Sequence, residues 1–423
     1  MKPSVILDVA FLGHEGAIRR GTERVSQQLF LGLLSSDFYN LSLVATSHLA
    51  GAYDFLKAQG LDPLQLLYFS PTVLRRSRLA RSLSRRVHHS LKDRSLSARA
   101  VRYLLARMAI LCGGRESDLA PEWLSRAQIY HSPHTPYPAA VRACRHLRRF
   151  ITCHDFIPLK HPEYSSPGTR QFMESVLECL QPDNFAFCVS ETTRNDLLRY
   201  SKMPPERVFV TPLAADPHTF QPVTDANRLA EVTKRYGLGD DPYFLALSAH
   251  DPHKNFAHLV ECFGRLLEAG DLRECNLVIV GSNPDRRSAV QAAAARFPGL
   301  TERVIEAGFV PDEDLAAIYS GSIAFLFPSI AEGFGIPPLE AMQCGVPVIG
   351  SNTTSIPEVV GDAGLLLPPT DKDAWCATML RIARDTQLRV ELSNRSIARA
   401  RHFSWKRFID QTLAGYRASL EHF

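Results

Sequence analysis

The stretch EGFGIPPLEAMQCGVPVIGS, Glu332 to Ser351, sets two glutamates eight residues apart. Eight residues is about two helical turns, so one continuous helix would carry both on the same face. That helix is ruled out. Gly333 and Gly335 favour a bent backbone, and Pro337-Pro338 cannot sit in a helix interior. The remaining reading is a loop carrying Glu332, a helix opening at the prolines with Glu340 one turn in, and Gly345 capping its end. IAFLFPS before it and VPVIGS at its close read as strands. Strand, loop, helix and strand in that order make the repeating unit of a parallel α/β sheet.

The same alternation runs outward through the chain. SVILDVA, LSLVAT, QLLYFS, AQIYHS, FITCHD, FAFCVS and VFVTPL are candidate strands in the first half. YFLALSA, LVIVGS, RVIEAG, IAFLFPS, VPVIGS and GLLLPP follow after a break near residues 214–228. Two such series predict two Rossmann-like domains, residues 1–213 and 229–400. At 423 residues the chain also exceeds the size at which a single core stops growing. Ligands of open α/β sheets sit outside the carboxyl ends of the strands, so two facing domains would enclose a cleft. Residues 401–423 carry a helical apolar stripe, Trp405, Phe408, Ile409, Leu413, Tyr416 and Leu420. That stripe fits a terminal helix packed on one domain or joining the two.

Composition is that of an ordinary globular protein, 45% hydrophobic and 22% charged. No run of about 18 apolar residues predicts a transmembrane helix. The N-terminal apolar stretch is interrupted by Asp8 and reads as a strand, not as a signal peptide. Nine cysteines without a C-x-x-C pair fit reduced thiols in the cytoplasm. The net charge of +4 is uneven: residues 71–116 hold twelve Lys and Arg against two acids. This segment is helically periodic, through Leu79, Leu83, Val87 and Leu91, then Val101, Leu104, Leu105 and Met108. Its basic helices read as solvated surface helices or as a patch that docks on anionic lipid headgroups. Nucleic acid is not expected as a partner, because no aromatic platform or binding motif accompanies the charge.

Glu332 falls at the carboxyl end of a strand, in a loop whose glycines let backbone N–H groups approach a ligand. The helix start that follows offers unpaired N–H groups and a positive dipole end, a seat for phosphate. Glu340, one turn in, can accept hydrogen bonds from ribose hydroxyls. A diol, a diphosphate and a second polyol in one site describe a nucleotide sugar. On the residues alone, Glu340 can equally be a dipole-stabilised surface carboxylate and Glu332 an ordinary loop residue.

The stretch closely resembles the E-x7-E motif of retaining glycosyltransferases of the GT-B fold, family 4. LSAHDPHKNFAHLVECF, AGFVPDEDLAAIYSGSIAFLFPS and SIPEVVGDAGLLLPP are similar to segments around that motif. YHSPHTPYP, ITCHDFIPLKHPEY and VSETTRNDLLRY are similar to segments of the family's first domain. The resemblance implies a two-domain enzyme in which Glu332 meets the donor sugar hydroxyls and Glu340 the ribose. Backbone at Gly333, Phe334, Gly335 and Ile336 would contact the sugar, and Lys254 would neutralise the diphosphate. Ser248 stands where the family usually has an arginine, with His250 nearby. Gly308, Phe309, Val310 and Leu315 would line the base pocket. His154 would lie near the reacting sugar, with Asp155 orienting its loop. Gly21 and Arg24 would stand in the turn near the diphosphate, although the usual GG pair is absent.

DED at 312–314 and DKD at 371–373 read as helix caps, so no metal site is expected; Lys254 and the helix dipole would serve the phosphates. Within the resemblance, bacterial mannosyltransferases of O-antigen and exopolysaccharide synthesis come nearest. They imply GDP-mannose as donor, with UDP-hexoses, GDP-fucose, GDP-rhamnose and dTDP-rhamnose open. They also imply a polyprenyl-diphosphate-linked saccharide as acceptor, met by a peripheral enzyme at the inner membrane face through the basic helices. A nucleotide-sugar 2-epimerase and a non-catalytic nucleotide-sugar-binding subunit are the rival readings on the same fold.

Overall fold

Two all-parallel sheets account for every strand run expected from the sequence. A computed structural model describes residues 2–12, 21–62, 66–67, 71–89, 119–247, 252–281, 291–292 and 295–422. The first sheet has seven strands in the order β3-β2-β1-β4-β5-β6-β7. They are β1 Ser4–Asp8, β2 Asn40–Val44, β3 Leu66–Leu67, β4 Ile129–Ser132, β5 Arg148–Cys153, β6 Phe185–Cys188 and β7 Val208–Val210. The second has six in the order β10-β9-β8-β11-β12-β13. These are β8 Tyr243–Leu247, β9 Asn276–Val280, β10 Val304–Gly308, β11 Phe325–Phe327, β12 Val348–Ser351 and β13 Leu365–Leu367. β8 and β9 are buried along their whole length, as strands covered by helices on both faces must be.

Five helices matter for the site: α1 Gly21–Leu34, α2 Glu191–Tyr200, α3 Ile336–Gln343, α4 Ile356–Val360 and α5 Trp405–His422. The terminal helix α5 crosses back onto the first sheet. Its Tyr416 is fully buried and bonds His131 on β4 at 2.6 Å. Tyr39 donates to the Leu413 carbonyl and Arg148 to that of Ser419. The largest apolar cluster therefore runs from Leu7, Leu29 and Phe150 through Phe408, Leu413 and Tyr416 to Phe325 and Leu339 of the second sheet.

The helix Pro71–His89 packs beside Leu49–Ala58 and keeps only part of the stripe its leucine spacing predicts, Leu83 but not Leu79. Leu74, Ser77 and Leu83 are buried, whereas Leu79 is 50% exposed. The Ser77 hydroxyl accepts from the Ala50 N–H, and Arg81 donates to the Ala50 carbonyl. At Leu79, polar bonds to a neighbour thus override the apolar period. Arg75, Arg76 and Arg78 remain exposed. Residues 90–116 of the basic segment lie outside the described residues. No described helix is long and apolar enough to cross a membrane.

Candidate active site

The loop after β11 carries Glu332 to the boundary between the two domains. Lys254, at the end of the one-turn helix Pro252–Lys254, donates to Glu332 Oε1 at 2.6 Å. Both side chains are largely buried, 13% and 11% exposed, and the ammonium also stands 5.3 Å from the Phe327 ring centroid. The Glu332 N–H donates to Thr354 Oγ1. Ser355 Oγ lies within hydrogen-bonding distance of the Glu332 and Phe334 carbonyls, at 3.0 and 2.8 Å. The carboxylate and the lysine, 78 residues apart in the chain, therefore occupy one rigidly framed spot.

Gly333 approaches a neighbour so closely that no side chain fits. A Cβ there would lie 1.9 Å from the His154 carbonyl oxygen and 2.9 Å from Asp155 Cβ. The expectation was that this glycine admits a ligand to the backbone; in the structure it admits the first domain. The Gly333 carbonyl accepts from Ser190 Oγ at 2.7 Å and Thr193 Oγ1 at 3.1 Å. Between Glu332, Gly333, Asp155 and Thr193 a pocket of about 10 Å³ remains, room for about one water. Gly335 has φ +116 as the residue before α3, a conformation that favours glycine.

Glu340 is buried on α3 and paired twice. Its Oε1 accepts from Arg24 Nη1 at 2.6 Å and its Oε2 from the Tyr319 hydroxyl at 3.1 Å. Burial pushes its pKa up, and the Arg24 charge and Tyr319 hydrogen bond oppose that rise. Arg24 reaches Asp312 Oδ2 at 2.7 Å with its other terminal nitrogen. A Cβ on Gly21 would stand 3.7 Å from Ile336 Cδ1, so the start of α1 abuts the start of α3. The resemblance set Gly21 and Arg24 beside a diphosphate; the structure sets Arg24 on the carboxylate assigned to the ribose.

His154 follows β5. Its Nε2 lies 2.9 Å from the Pro133 carbonyl, so Nε2 carries the proton and Nδ1 is left as an acceptor. Burial pulls its pKa down to about 4, against the pull of that carbonyl; the ring is neutral at pH 7. His134 stands 5.4 Å away and stacks on Phe172 at 5.1 Å between ring centroids. Asp155 accepts from the Ile157 N–H and so shapes the turn after the strand.

Of the residues assigned to the base pocket, Gly308 ends β10 with φ +71, and Phe309 is 60% exposed. Val310 and Leu315 are buried in the apolar core. Ser248 and His250 lie outside the described residues. The cap reading of the two aspartate strings holds only in part. Asp371 accepts from the Ala374 N–H, but the helix Asp312–Ser320 is preceded by Pro311 and has no side-chain cap. Asp312 instead pairs with Arg24, and Asp314 accepts from Arg228, Arg235 and Tyr236. The sequence reading assigned no role to Glu358, Ser190 or Thr193. SETT at 190–193 carries an N-cap signal, which Ser190 fulfils by accepting from the Thr193 N–H, but nothing local to it points across the boundary.

Two Rossmann-like domains meeting at the carboxyl ends of their strands, with Lys254, Glu332 and Glu340 at the junction, define a glycosyltransferase of the GT-B fold. Residues 231–401 match the model of the family described as glycosyl transferases group 1. O-antigen chain mannosyltransferase B of Escherichia coli is 35% identical over 291 residues, covering 68% of this chain and 74% of that protein. The serotype-specific mannosyltransferase WbdA of Escherichia coli is 28% identical over 271 residues, 64% of this chain but 33% of that longer protein. The sucrose-phosphate synthase structure from Thermosynechococcus elongatus superposes with a TM-score of 0.66 at 18% identity, over 99% of both chains; this likeness speaks to the fold. The chain belongs to the group 1 glycosyl transferases.

Proposed function

We propose that the chain is a retaining mannosyltransferase that takes mannose from GDP-mannose and adds it to a growing bacterial surface polysaccharide. The observation that carries the sugar is the 35% identity to an O-antigen chain mannosyltransferase. In this reading Glu332 accepts from the sugar hydroxyls, Glu340 from the ribose hydroxyls, and Lys254 moves from Glu332 to the diphosphate. The α3 N-terminus adds its dipole at the phosphates, so no metal is invoked. His154, neutral, offers Nδ1 to a hydroxyl of the transferred sugar.

Glu332 and Glu340 are both engaged in binding, which leaves no dedicated nucleophile. The acceptor oxygen therefore attacks on the face from which the diphosphate departs. The bond from the anomeric carbon to the phosphate oxygen breaks, the new glycosidic bond forms, and the acceptor proton passes to the leaving diphosphate. Catalysis is then positioning and charge stabilisation of an oxocarbenium-like state.

The acceptor in this reading is a polyprenyl-diphosphate-linked saccharide at the inner membrane face. Exposed Arg75, Arg76 and Arg78 on the Pro71–His89 helix support docking there. A thermal-shift panel of GDP, UDP, dTDP and ADP tests the donor. Stabilisation by GDP alone is expected, on the order of 2.7 kcal/mol at about a hundred times its Kd. Preference for UDP or dTDP would overturn GDP-mannose.

A further inference from the structure

The loop that carries Glu332 is held from both domains at once. We propose that Glu358, together with Ser190 and Thr193, positions this loop, so that Glu332 is brought into its working place by the meeting of the domains. The proposal rests on the reading of Glu332 as the residue that touches the donor sugar.

The first turn of a helix presents N–H groups without intrahelical partners and a positive dipole end. At the start of α2 these groups are taken by the other domain. The Glu358 carboxylate accepts from the Glu191 N–H at 2.7 Å, the Thr192 N–H at 2.8 Å and Thr192 Oγ1 at 2.6 Å. Ser190 and Thr193 of the same turn donate to the Gly333 carbonyl, next to Glu332. One helical turn of the first domain thus grips the second at two points.

The two points are mechanically linked within the second domain. Glu358 stands on α4 three residues after Ser355, whose hydroxyl lies at hydrogen-bonding distance from the carbonyls of Glu332 and Phe334. Arg399 pins the same helix by donating to the Glu358 and Val359 carbonyls. A cavity of about 270 Å³, lined in part by Val189, Glu191, Phe334, Glu358 and Phe403, flanks the clamp. The clamp can therefore hydrate and release without disturbing a packed core. Release would loosen the loop as a sugar nucleotide enters, and re-forming the clamp would set it.

The test compares Glu358→Ala, Glu358→Gln and Glu332→Ala in the full chain. GDP release from GDP-mannose gives turnover, calorimetry gives the GDP Kd, and hydrogen exchange reports residues 330–335. Glu358→Ala should lower kcat roughly tenfold to a hundredfold, as a small misplacement of a reacting group does. Its GDP Kd should stay within about threefold, because ribose and base contacts belong to the second domain. Exchange in 330–335 should quicken, and Glu358→Gln, which keeps one acceptor oxygen for Thr192 but turns an NH2 on the Glu191 N–H, should recover part of the loss.

Unchanged exchange in Glu358→Ala overturns the clamp whether or not GDP-mannose is turned over. So does a parallel loss of GDP affinity and kcat, which would mark a general structural contact. An active Glu332→Ala enzyme would instead remove the reading on which the clamp rests. An inactive Glu332→Ala beside a fully active Glu358→Ala would sink the clamp alone.

Discussion

Arg24 donates to Glu340 at 2.6 Å across the boundary between the two domains, and the same guanidinium reaches Asp312 at 2.7 Å. If Glu340 takes ribose hydroxyls, as proposed, they compete with that arginine for one carboxylate. A ligand that competes with an internal partner loses affinity by the fraction of time its seat is open. Arg24→Ala is therefore expected to bind GMP more tightly, by roughly threefold to tenfold. Glu340→Ala should bind it about tenfold or more weakly, the loss of a charge-assisted hydrogen bond. Calorimetry with GMP reads both signs.

Lys254 and Glu332 pair at 2.6 Å with both side chains largely buried. Removing either leaves the other's charge without its partner. Glu332→Ala is expected to abolish turnover while GDP still binds. Lys254→Ala should weaken GDP by about tenfold to a hundredfold and leave guanosine nearly unaffected. A Lys254→Ala protein that binds GDP as tightly as the parent would refute the phosphate role.

Gly333→Ala would drive a methyl group into the His154 carbonyl, 1.9 Å from where it must sit. The domains cannot meet as they do, so kcat should drop by about a hundredfold. Far-ultraviolet dichroism should remain that of the parent, because the clash lies between domains and not within a sheet.

His131 is fully buried, and desolvation pulls its pKa down to about 3, with a smaller contribution from His154. The unfolded chain takes up a proton near pH 6.5 and the folded chain does not. Stability is thus complete above pH 6.5 and drains away as pH falls toward 3. The loss is about 2 kcal/mol between pH 6.5 and 5 from this residue alone. Urea midpoints at pH 7 and 5 should diverge less in His131→Gln. Tyr416→Phe, which removes the 2.6 Å partner of His131, should cost about 1–2 kcal/mol at neutral pH.

The strands were legible because each is a short apolar run between turn residues, a signal contained in its own few residues. The helix start at Ile336 and the cap at Gly345 were legible for the same reason: Pro337 and Gly345 act locally, and Gly345 has φ +72 with its N–H on the Met342 carbonyl. What the sequence hid is pairing at long range. Arg24 and Glu340 stand 316 residues apart, Thr192 and Glu358 166. Asp312 looked like a cap because its neighbours say so; the arginine that claims it arrives from the other domain. Leu79 failed for the converse reason, since Ser77 and Arg81 find polar partners on the adjacent helix and turn the leucine outward.

The terminal helix gives the molecule a second hinge pin. The chain passes from the first domain to the second near residues 214–228 and returns at 401–404 to lay α5 on β4 and α1. A body suspended on one strand can swivel in any direction, whereas one hung on two parallel strands swings like a door. Two crossings of the chain leave the domains fewer directions in which to turn against each other than one would, so the contacts of Glu332 and Glu340 with the first domain sit at a doubly tethered boundary.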